Sequence, residues 1–237
     1  GVLANMTYEE VCQYRLINRD GTASDEPVHT FREMLEAAKD SVFIVVDVKE
    51  GAITTQMANI VNELGMMDEV MWYFPKSEQD GVKAMFNKYP KAILMPYSST
   101  KDYLVTLHGK YNPLYIFHSD LAKIETDATF RPQFEKYNMV CYANTLNAPD
   151  EQMMTGDMSY LERMRNQNIR FIQSDYGEHV VMWLNKFNQH FVPTESPADL
   201  SPMTQDVNPK KIIKTISNGQ ILLHVNGKTY NLLGVAK

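Results

Sequence analysis

Residues 41–51 read SVFIVVDVKEG, a run of apolar and β-branched residues that closes with an acid and a base. The run is too short for a buried helix and rich in strand-forming residues, so it predicts a buried β-strand. It directly follows FREMLEAAK, and the Thr30 and Glu33 pair at the start of that segment has the spacing of a capping box, which marks a helix start. Thr7 and Glu10 have the same spacing and predict an earlier helix start before EEVCQYRL. A helix followed at once by a buried strand indicates an α/β protein.

Five further segments have the same apolar, strand-like character, and helix-capable segments separate them. They are DEVMWYF at 68–74, KAILMPY at 91–97, LYIFH at 114–118, NMVCYANT at 138–145 and IRFIQSD at 169–175. Near-continuously apolar strands that alternate with helices are typical of a parallel sheet covered by helices. Because a (β/α) barrel has eight strands and we count about six, we expect an incomplete TIM-type barrel. An open doubly wound sheet is the alternative, but no glycine-rich phosphate loop follows any of the strands.

The chain divides into three predicted regions. We assign residues 1–187 to the barrel and residues 188–210, which are rich in Pro, Ser, Thr and Asp, to a linker. In residues 211–237, two Asn-Gly pairs interrupt short β-prone runs. Because Asn-Gly favours tight hairpin turns, we predict a small β-meander of about three strands there.

Composition excludes several classes of protein. The net charge of −6 and the lack of a Lys/Arg cluster argue against a nucleic-acid partner. No apolar run reaches the roughly 18 residues of a membrane-spanning helix, so we predict no transmembrane segment. Cys12 and Cys141 lack metal-ligand spacing and are interpreted as apolar side chains. The sequence starts at Gly1 instead of a methionine, so we expect the natural N-terminus to lie upstream.

Candidate site residues lie at the carboxyl ends of the predicted strands, which meet at one end of a parallel barrel, called here the mouth. Asp47 and Lys49 are two residues apart, so both should point into the mouth. A carboxylate there can hold a divalent cation and an ammonium can neutralise an anionic oxygen, although a simple salt bridge at a strand end is the alternative. His118 and Asn144 end two later strands and are candidates for substrate binding, with a structural or exposed histidine as the alternative for His118.

Three aromatic residues and one acid complete the set of candidates. Trp72, Tyr73 and Tyr97 are candidates for a wall that contacts an alcohol group, although aromatic strand residues usually belong to a core. Asp175 is predicted to cap the last helix of the barrel.

Three segments resemble the glycerophosphodiester phosphodiesterase family. The family reads Pro-Thr-x-x-Glu-x-Leu before a strand that ends in acid-x-Lys, and this chain carries Pro27, Thr30, Glu33, Leu35, Asp47 and Lys49. Here Val28 and His29 separate the proline from the threonine, and Asp47 stands where the family more often has Glu. Further on, VCYANTLN resembles the seventh-strand segment that ends in Asn-Thr. NIRFIQSDYGEHVVMWL resembles the final strand and helix, with Ser174 and Gly177 in place of the usual Thr and Pro. The resemblance covers about residues 1–187.

This resemblance implies metal-dependent hydrolysis of glycerophosphodiesters to an alcohol and glycerol 3-phosphate. It implies that Asp47 is a ligand of Ca²⁺ or Mg²⁺ and that Lys49 stabilises charge on the phosphoryl oxygens. The family's His-Arg, Glu-x-Asp and His-Asp segments are not in this chain, so we expect no catalytic residue here, weak or absent metal binding and little activity of the chain alone. The alternatives are a non-catalytic binding or surface protein on a degenerate barrel of the same family, or an unrelated α/β binding domain.

Expectations on partners and location follow from the same features. The partner is a small-molecule phosphodiester. Because a barrel that lacks two strands has unpaired edges, we expect a homodimer or a missing N-terminal segment that fills the gap. The tail resembles C-terminal β-segments that act as sorting signals on exported bacterial proteins, which implies a periplasmic, cell-envelope or extracellular location. A small stabilising β-unit is the alternative interpretation of the tail.

Overall fold

The computed structural model describes residues 5–18, 20–186, 213–217, 220–225 and 228–231. Its strands are β1 Arg15–Ile17, β2 Ala23–Pro27, β3 Ile44–Asp47, β4 Val70–Phe74, β5 Ile93–Pro96, β6 Ile116–His118, β7 Val140–Asn144, β8 Ile169–Gln173, β9 Ile213–Ser217, β10 Gln220–Val225 and β11 Lys228–Asn231. Its α-helices are α1 Tyr8–Val11, α2 Phe31–Ala38, α3 Thr54–Glu63, α4 Gln79–Lys88, α5 Lys101–Lys110, α6 Leu121–Thr126, α7 Phe130–Lys136, α8 Ala148–Met154, α9 Ser159–Asn166 and α10 Gly177–Asn185.

The six predicted barrel strands are all present, and they run parallel in chain order. β3, β4 and β5 form one three-stranded sheet, and β6, β7 and β8 form another. A parallel bridge between Tyr97 and His118 joins the two sheets, supported by a 2.9 Å hydrogen bond from the Ser98 N–H to the His118 carbonyl. Among the strands that the structure describes, β3 pairs only with β4 and β8 only with β7. The fold is therefore α/β with parallel strands and an open, incomplete barrel, as predicted.

Strand side chains alternate between two packing layers. Trp72, Leu94, Phe117 and Cys141, on β4 to β7, belong to the large core that the strands form with the surrounding helices. Their neighbours along these strands form a smaller second cluster, which contains Met71, Ile93, Met95, Ile116 and Tyr142. Because side chains on a strand alternate faces, this second cluster occupies the inner face of the curved sheet. Asp47 pairs in register with Tyr73, which packs on that inner cluster.

The two predicted helix starts are confirmed. At Thr7 and again at Thr30, the threonine hydroxyl accepts a hydrogen bond from the glutamate N–H three residues later, and the glutamate carboxylate accepts one from the threonine N–H. The first helix ends at Val11, earlier than the sequence suggested. Residues 15–17 instead form β1, which pairs antiparallel with β2. The turn between them contains Gly21 at φ 84°, a conformation that glycine adopts easily and that competes with a longer helix.

The C-terminal strands form the predicted meander. β9, β10 and β11 are antiparallel neighbours in that order. The two Asn-Gly pairs and the predicted linker at 188–210 lie outside the described residues, so the proposed region boundaries stay predictions. Within the described part of the chain, every helix is too short or too polar to cross a membrane.

Candidate binding site at the barrel mouth

Asp47 and Lys49 form an ion pair at the rim of the mouth. The Lys49 Nζ lies 2.7 Å from the Asp47 Oδ2, and the two side chains are 82% and 48% exposed, respectively. The structure thus brings together the two residues that the spacing placed on one side of the chain. The hydrogen bond from Lys49 and the negative charge of Asp47 raise the pKa of the Lys49 ammonium. The structure shows a simple salt bridge between the two residues. Metal binding by Asp47 and phosphate binding by Lys49 stay predictions.

The described residues do not fit a resident Ca²⁺ or Mg²⁺ ion. They contain no cluster of three or more His, Cys, Asp or Glu side chains that could hold a metal. Asp47 is a lone carboxylate, and it already carries a hydrogen bond from Lys49. A hard cation takes about six oxygen ligands, so one engaged carboxylate is a poor site.

His118 forms the floor of the mouth. The residue is only 8% exposed, and within the described part of the chain neither ring nitrogen has a hydrogen-bond partner. Its ring centroid lies 5.0, 5.5 and 5.4 Å from those of Tyr73, Tyr97 and Tyr142, all in edge-to-face orientations. Burial lowers the pKa of the imidazole, while the charges of Asp120 and Asp47 act in the opposite direction. His118 therefore lies in the predicted place, but it is enclosed by aromatic rings.

Asp120 is a mouth residue that the sequence interpretation missed. Its carboxylate accepts a 2.6 Å hydrogen bond from the Tyr97 hydroxyl, and the residue is exposed. Burial, followed by this hydrogen bond, raises the pKa of the Tyr97 hydroxyl. The available signal was its position two residues after His118, because that spacing continues the inner face beyond the end of a strand.

Tyr73 lies among the charged groups of the mouth. Burial raises the pKa of the Tyr73 hydroxyl most, the charge of Asp47 raises it further, Lys49 lowers it and Asp120 raises it. Lys49 and the two carboxylates are therefore all close enough to affect this hydroxyl. The predicted aromatic wall is correct in position for Tyr73 and Tyr97, although its contact with an alcohol stays a prediction.

Trp72 is not part of that wall, which corrects the sequence interpretation. The residue is fully buried and packs in the large core between strands and helices. It neighbours Tyr73 on one strand, so its side chain points to the opposite face. The alternation of side chains that places Asp47 and Lys49 on the same face of the chain also places Trp72 and Tyr73 on opposite faces.

Asn144 ends β7 opposite Gln173 of β8, and it is partly buried. On the inner face of the same strand, the Tyr142 hydroxyl donates a 3.1 Å hydrogen bond to Gln173 Oε1. Burial raises the pKa of Tyr142 to about 12. Asn144 therefore lies at the β7–β8 side of the mouth, and its role in substrate binding stays a prediction.

Asp150 fastens the loops that follow β7 and β8. Its carboxylate is 2% exposed and accepts hydrogen bonds from the hydroxyls of Thr145 at 2.5 Å and Ser174 at 2.7 Å, and from the Asp175 N–H at 3.0 Å. This contact also corrects the expectation for Asp175. The residue at the N-cap of α10 is Tyr176, and the Asp175 backbone binds Asp150 instead.

Glu78 and two glycines hold the loop that carries Lys49. The Glu78 carboxylate accepts a 2.8 Å hydrogen bond from the Gly51 N–H, which lowers the pKa of Glu78. A Cβ atom on Gly81 would lie 2.1 Å from the Gly51 carbonyl oxygen, so only glycine fits there. The segment after β3 is thus in direct contact with the start of α4.

No protein-family model matches the chain, and no curated protein matches its sequence. Solved structures do match. A glycerophosphoryl diester phosphodiesterase from Parabacteroides distasonis superposes with a TM-score of 0.63 and 15% identity, over 82% of this chain and 67% of that protein. A second glycerophosphodiester phosphodiesterase from that organism superposes with a TM-score of 0.58 and 15% identity, over 77% of this chain and 72% of that protein. A putative glycerophosphodiester phosphodiesterase from Galdieria sulphuraria superposes with a TM-score of 0.58 and 10% identity, over 76% of this chain and 71% of that protein. The chain has the fold of glycerophosphodiester phosphodiesterases. At such identities the likeness concerns the fold alone.

Proposed function

We propose that the mouth of this barrel binds glycerophosphodiesters. We further propose that the intact protein hydrolyses them to an alcohol and glycerol 3-phosphate, while the 237-residue chain binds them without hydrolysis. The observation that carries the proposal is the position of Lys49. Its ammonium is 82% exposed at the carboxyl end of a parallel strand, the place where such barrels bind their ligands.

Lys49 suits a singly charged phosphodiester. Its ammonium has three donors, and the contact to Asp47 uses one of them, so donors remain for the two non-bridging phosphate oxygens. A lysine ammonium is charged at neutral pH, and the hydrogen bond to Asp47 raises the pKa of Lys49 further. The ammonium is a point charge on a flexible stem, so it can move from Asp47 toward an incoming phosphate.

The described residues support binding more than turnover. A hydrolytic site needs groups that transfer protons, and the two nitrogens of His118 are buried among tyrosine rings. It also needs groups that stabilise charge on the phosphoryl oxygens, and the described residues supply no metal cluster for that task. Hydrolysis therefore depends on residues beyond those described here.

The test combines a binding measurement with a product assay. The 237-residue chain is titrated calorimetrically with glycerophosphoglycerol and is separately incubated with the same compound plus Ca²⁺ or Mg²⁺. We expect saturable binding and no release of glycerol 3-phosphate above background. Absence of binding would overturn the assignment, and metal-dependent release by the chain alone would show that its residues suffice for catalysis.

A second candidate function is a non-catalytic binding or surface protein built on the same fold. It is favoured by Asp47, whose carboxylate is engaged by Lys49 where a metal ligand was expected. The sequence encoded upstream of Gly1 separates the two candidates. His-Arg and Glu-x-Asp segments there would support the hydrolase, and their absence from that sequence would support the binder.

We also propose self-association and an envelope, periplasmic or extracellular location. Val45 is 37% exposed on β3, and the outer edge of that strand is unpaired among the described strands, so β3 is the proposed surface for a second copy. Light scattering tests association, and a compact monomer would contradict it.

The proposed location rests on the resemblance of the tail to sorting segments, and fractionation of cells expressing the full protein with and without residues 211–237 tests it. Unchanged distribution would contradict a sorting role.

A further inference from the structure

The segment that presents Lys49 is held at two backbone positions. On the strand side, the Val48 N–H donates a 2.9 Å hydrogen bond to the Tyr73 carbonyl, which continues the contact between β3 and β4 beyond the last residue of β3. On the other side, the Gly51 N–H donates a 2.8 Å hydrogen bond to the Glu78 carboxylate. Two exposed residues, Lys49 and its neighbour, lie between these positions. The backbone that carries the ammonium is therefore fixed from both ends.

The Glu78 contact is made by a side chain from the next strand–helix unit. Glu78 directly precedes α4 and is partly buried, and its side chain makes no capping hydrogen bond to that helix. A glutamate is ionised at neutral pH, so its hydrogen bond to the Gly51 N–H is charge-assisted and stronger than one between neutral groups. The same bond is the main cause that lowers the pKa of the Glu78 carboxyl. The carboxylate thus serves the segment after β3 and not its own helix.

Close backbone packing makes this contact hard to replace. Gly51 is buried, and a Cβ atom on it would lie 2.9 Å from the Glu78 carbonyl oxygen. A Cβ atom on Gly81 would lie 2.1 Å from the Gly51 carbonyl oxygen. Loss of the carboxylate would leave the buried Gly51 N–H without its acceptor, which is costly unless the segment moves to reach water. A movement of Gly51 would also move Lys49, which is two residues away.

We propose that Glu78 is a positioning residue for phosphodiester binding, because its carboxylate holds the Gly51 backbone and thereby keeps the Lys49 ammonium at the rim of the mouth. The role of Lys49 toward phosphate rests on the proposed function. Glu78 itself does not touch the ligand.

The charge of Glu78 and its positioning role have opposite effects on affinity. A negative charge near the mouth disfavours a phosphate, so removing the charge alone should leave the affinity unchanged or raise it slightly. Removing the hydrogen-bond acceptor should release the Gly51 segment, so that binding must order the Lys49 side chain and its backbone at a cost in affinity. The sign of the effect therefore identifies the role.

Two substitutions of Glu78 separate these effects. Glu78→Gln removes the charge and keeps an amide oxygen that can accept the Gly51 hydrogen bond, whereas Glu78→Ala removes both. By calorimetry of the 237-residue chain with glycerophosphoglycerol, we expect Glu78→Ala to bind about fivefold more weakly and Glu78→Gln to bind within about twofold of the unsubstituted chain. Asp68→Ala is the control, because Asp68 is exposed before β4, at the opposite end of the strand from the mouth.

A second readout needs no ligand. The hydrogen bond and the charge of Asp47 raise the pKa of the Lys49 ammonium, so this pKa reports whether the two groups stay together. It is measured by NMR titration of the chain with ¹³C-methylated lysines. We expect the pKa of Lys49 to fall toward that of an isolated lysine in Glu78→Ala and to stay raised in Glu78→Gln.

The outcomes separate this inference from the proposed function. Equal losses of affinity in the two Glu78 variants would overturn the role of the hydrogen bond. A lower melting temperature of Glu78→Ala with unchanged affinity and an unchanged pKa of Lys49 would show a purely structural role, and phosphodiester binding would still stand. If the unsubstituted chain does not bind glycerophosphoglycerol, the proposed function fails, while the Lys49 titration still decides whether Glu78 positions the ammonium.

Discussion

The Lys49 ammonium lies 2.7 Å from the Asp47 carboxylate, and both groups face solvent at the rim of the mouth. Exposed ion pairs of this kind contribute little to stability, because water and salt screen the attraction between the charges. The pair therefore matters more for the charge it presents to a ligand than for holding the fold together.

Replacing Asp47 by Asn should strengthen phosphodiester binding. The substitution removes a negative charge next to the ammonium that is proposed to bind the phosphate, so affinity measured by calorimetry without metal should rise about threefold. The melting temperature should hardly change. Asp68→Asn serves as the charge-matched control. A severalfold loss of affinity would contradict this account and support a direct role of Asp47 in ligand or metal binding.

Replacing Gly81 by Ala should destabilise the protein. The new methyl group would overlap the Gly51 carbonyl, since the built Cβ lies 2.1 Å from that oxygen. Overpacking of this kind costs about 1–3 kcal/mol, more than the helix propensity that alanine gains.

Gly109→Ala is the matched control, because Gly109 lies in α5 with open space around its Cβ position. This control should stabilise the protein by about 1 kcal/mol. Urea unfolding measures both variants. Equal stabilisation by the two substitutions would show that the contact between Gly51 and the start of α4 is not tight.

Stability should fall as the pH drops from 7 to 5 because of His118. Burial lowers the pKa of its imidazole below the value of 6.5 in the unfolded chain. Below pH 6.5 the unfolded state therefore binds more protons than the folded state, and the free energy of unfolding decreases. Asp120 and Asp47 limit the effect, because their charges favour protonation in the fold.

Melting temperatures at pH 7 and pH 5 test this prediction. In His118→Phe the difference between the two temperatures should shrink. His179→Gln, at a partly exposed position on α10, should behave as the unsubstituted chain. An unchanged difference in the His118 variant would contradict the prediction.

Replacing Asp150 by Ala should be strongly destabilising. The change leaves the Ser174 hydroxyl and the Asp175 N–H without their carboxylate acceptor and weakens the bonding of Thr145. Loss of buried hydrogen bonds to a charged group costs about 3 kcal/mol or more. Chemical denaturation measures the effect, with the exposed Asp68→Ala as control. A loss below about 1 kcal/mol would show that the two loops are fastened by other contacts.

Features set by local sequence were predictable. The capping boxes at Thr7 and Thr30, the six apolar strands and the two faces of β3 all depend on patterns within a few residues. The hairpin of β1 and β2 was missed because a single turn around Gly21, and not periodicity, determines it.

Features that depend on contacts between distant residues were not predictable. The burial of His118 results from tyrosines on three other segments, and the clash that excludes a side chain at Gly81 involves a residue 30 positions earlier. Asp120 was overlooked, although its position two residues after His118 continues the inner face beyond the end of β6, as that of Lys49 does after Asp47. The positions of Asp47 and Lys49 could be predicted, whereas their direct pairing was one of two open alternatives.

The affinity of the Lys49→Ala variant for glycerophosphoglycerol tests the central claim most directly. Lys83→Ala is the control, because Lys83 is exposed on α4 and has no assigned role at the mouth. The account predicts that Lys49→Ala weakens binding about 10-fold or more, as expected when a charge-assisted hydrogen bond to phosphate is lost, while Lys83→Ala binds normally. Equal affinities of the two variants would contradict phosphate binding by Lys49 and, with it, the proposed function of the mouth.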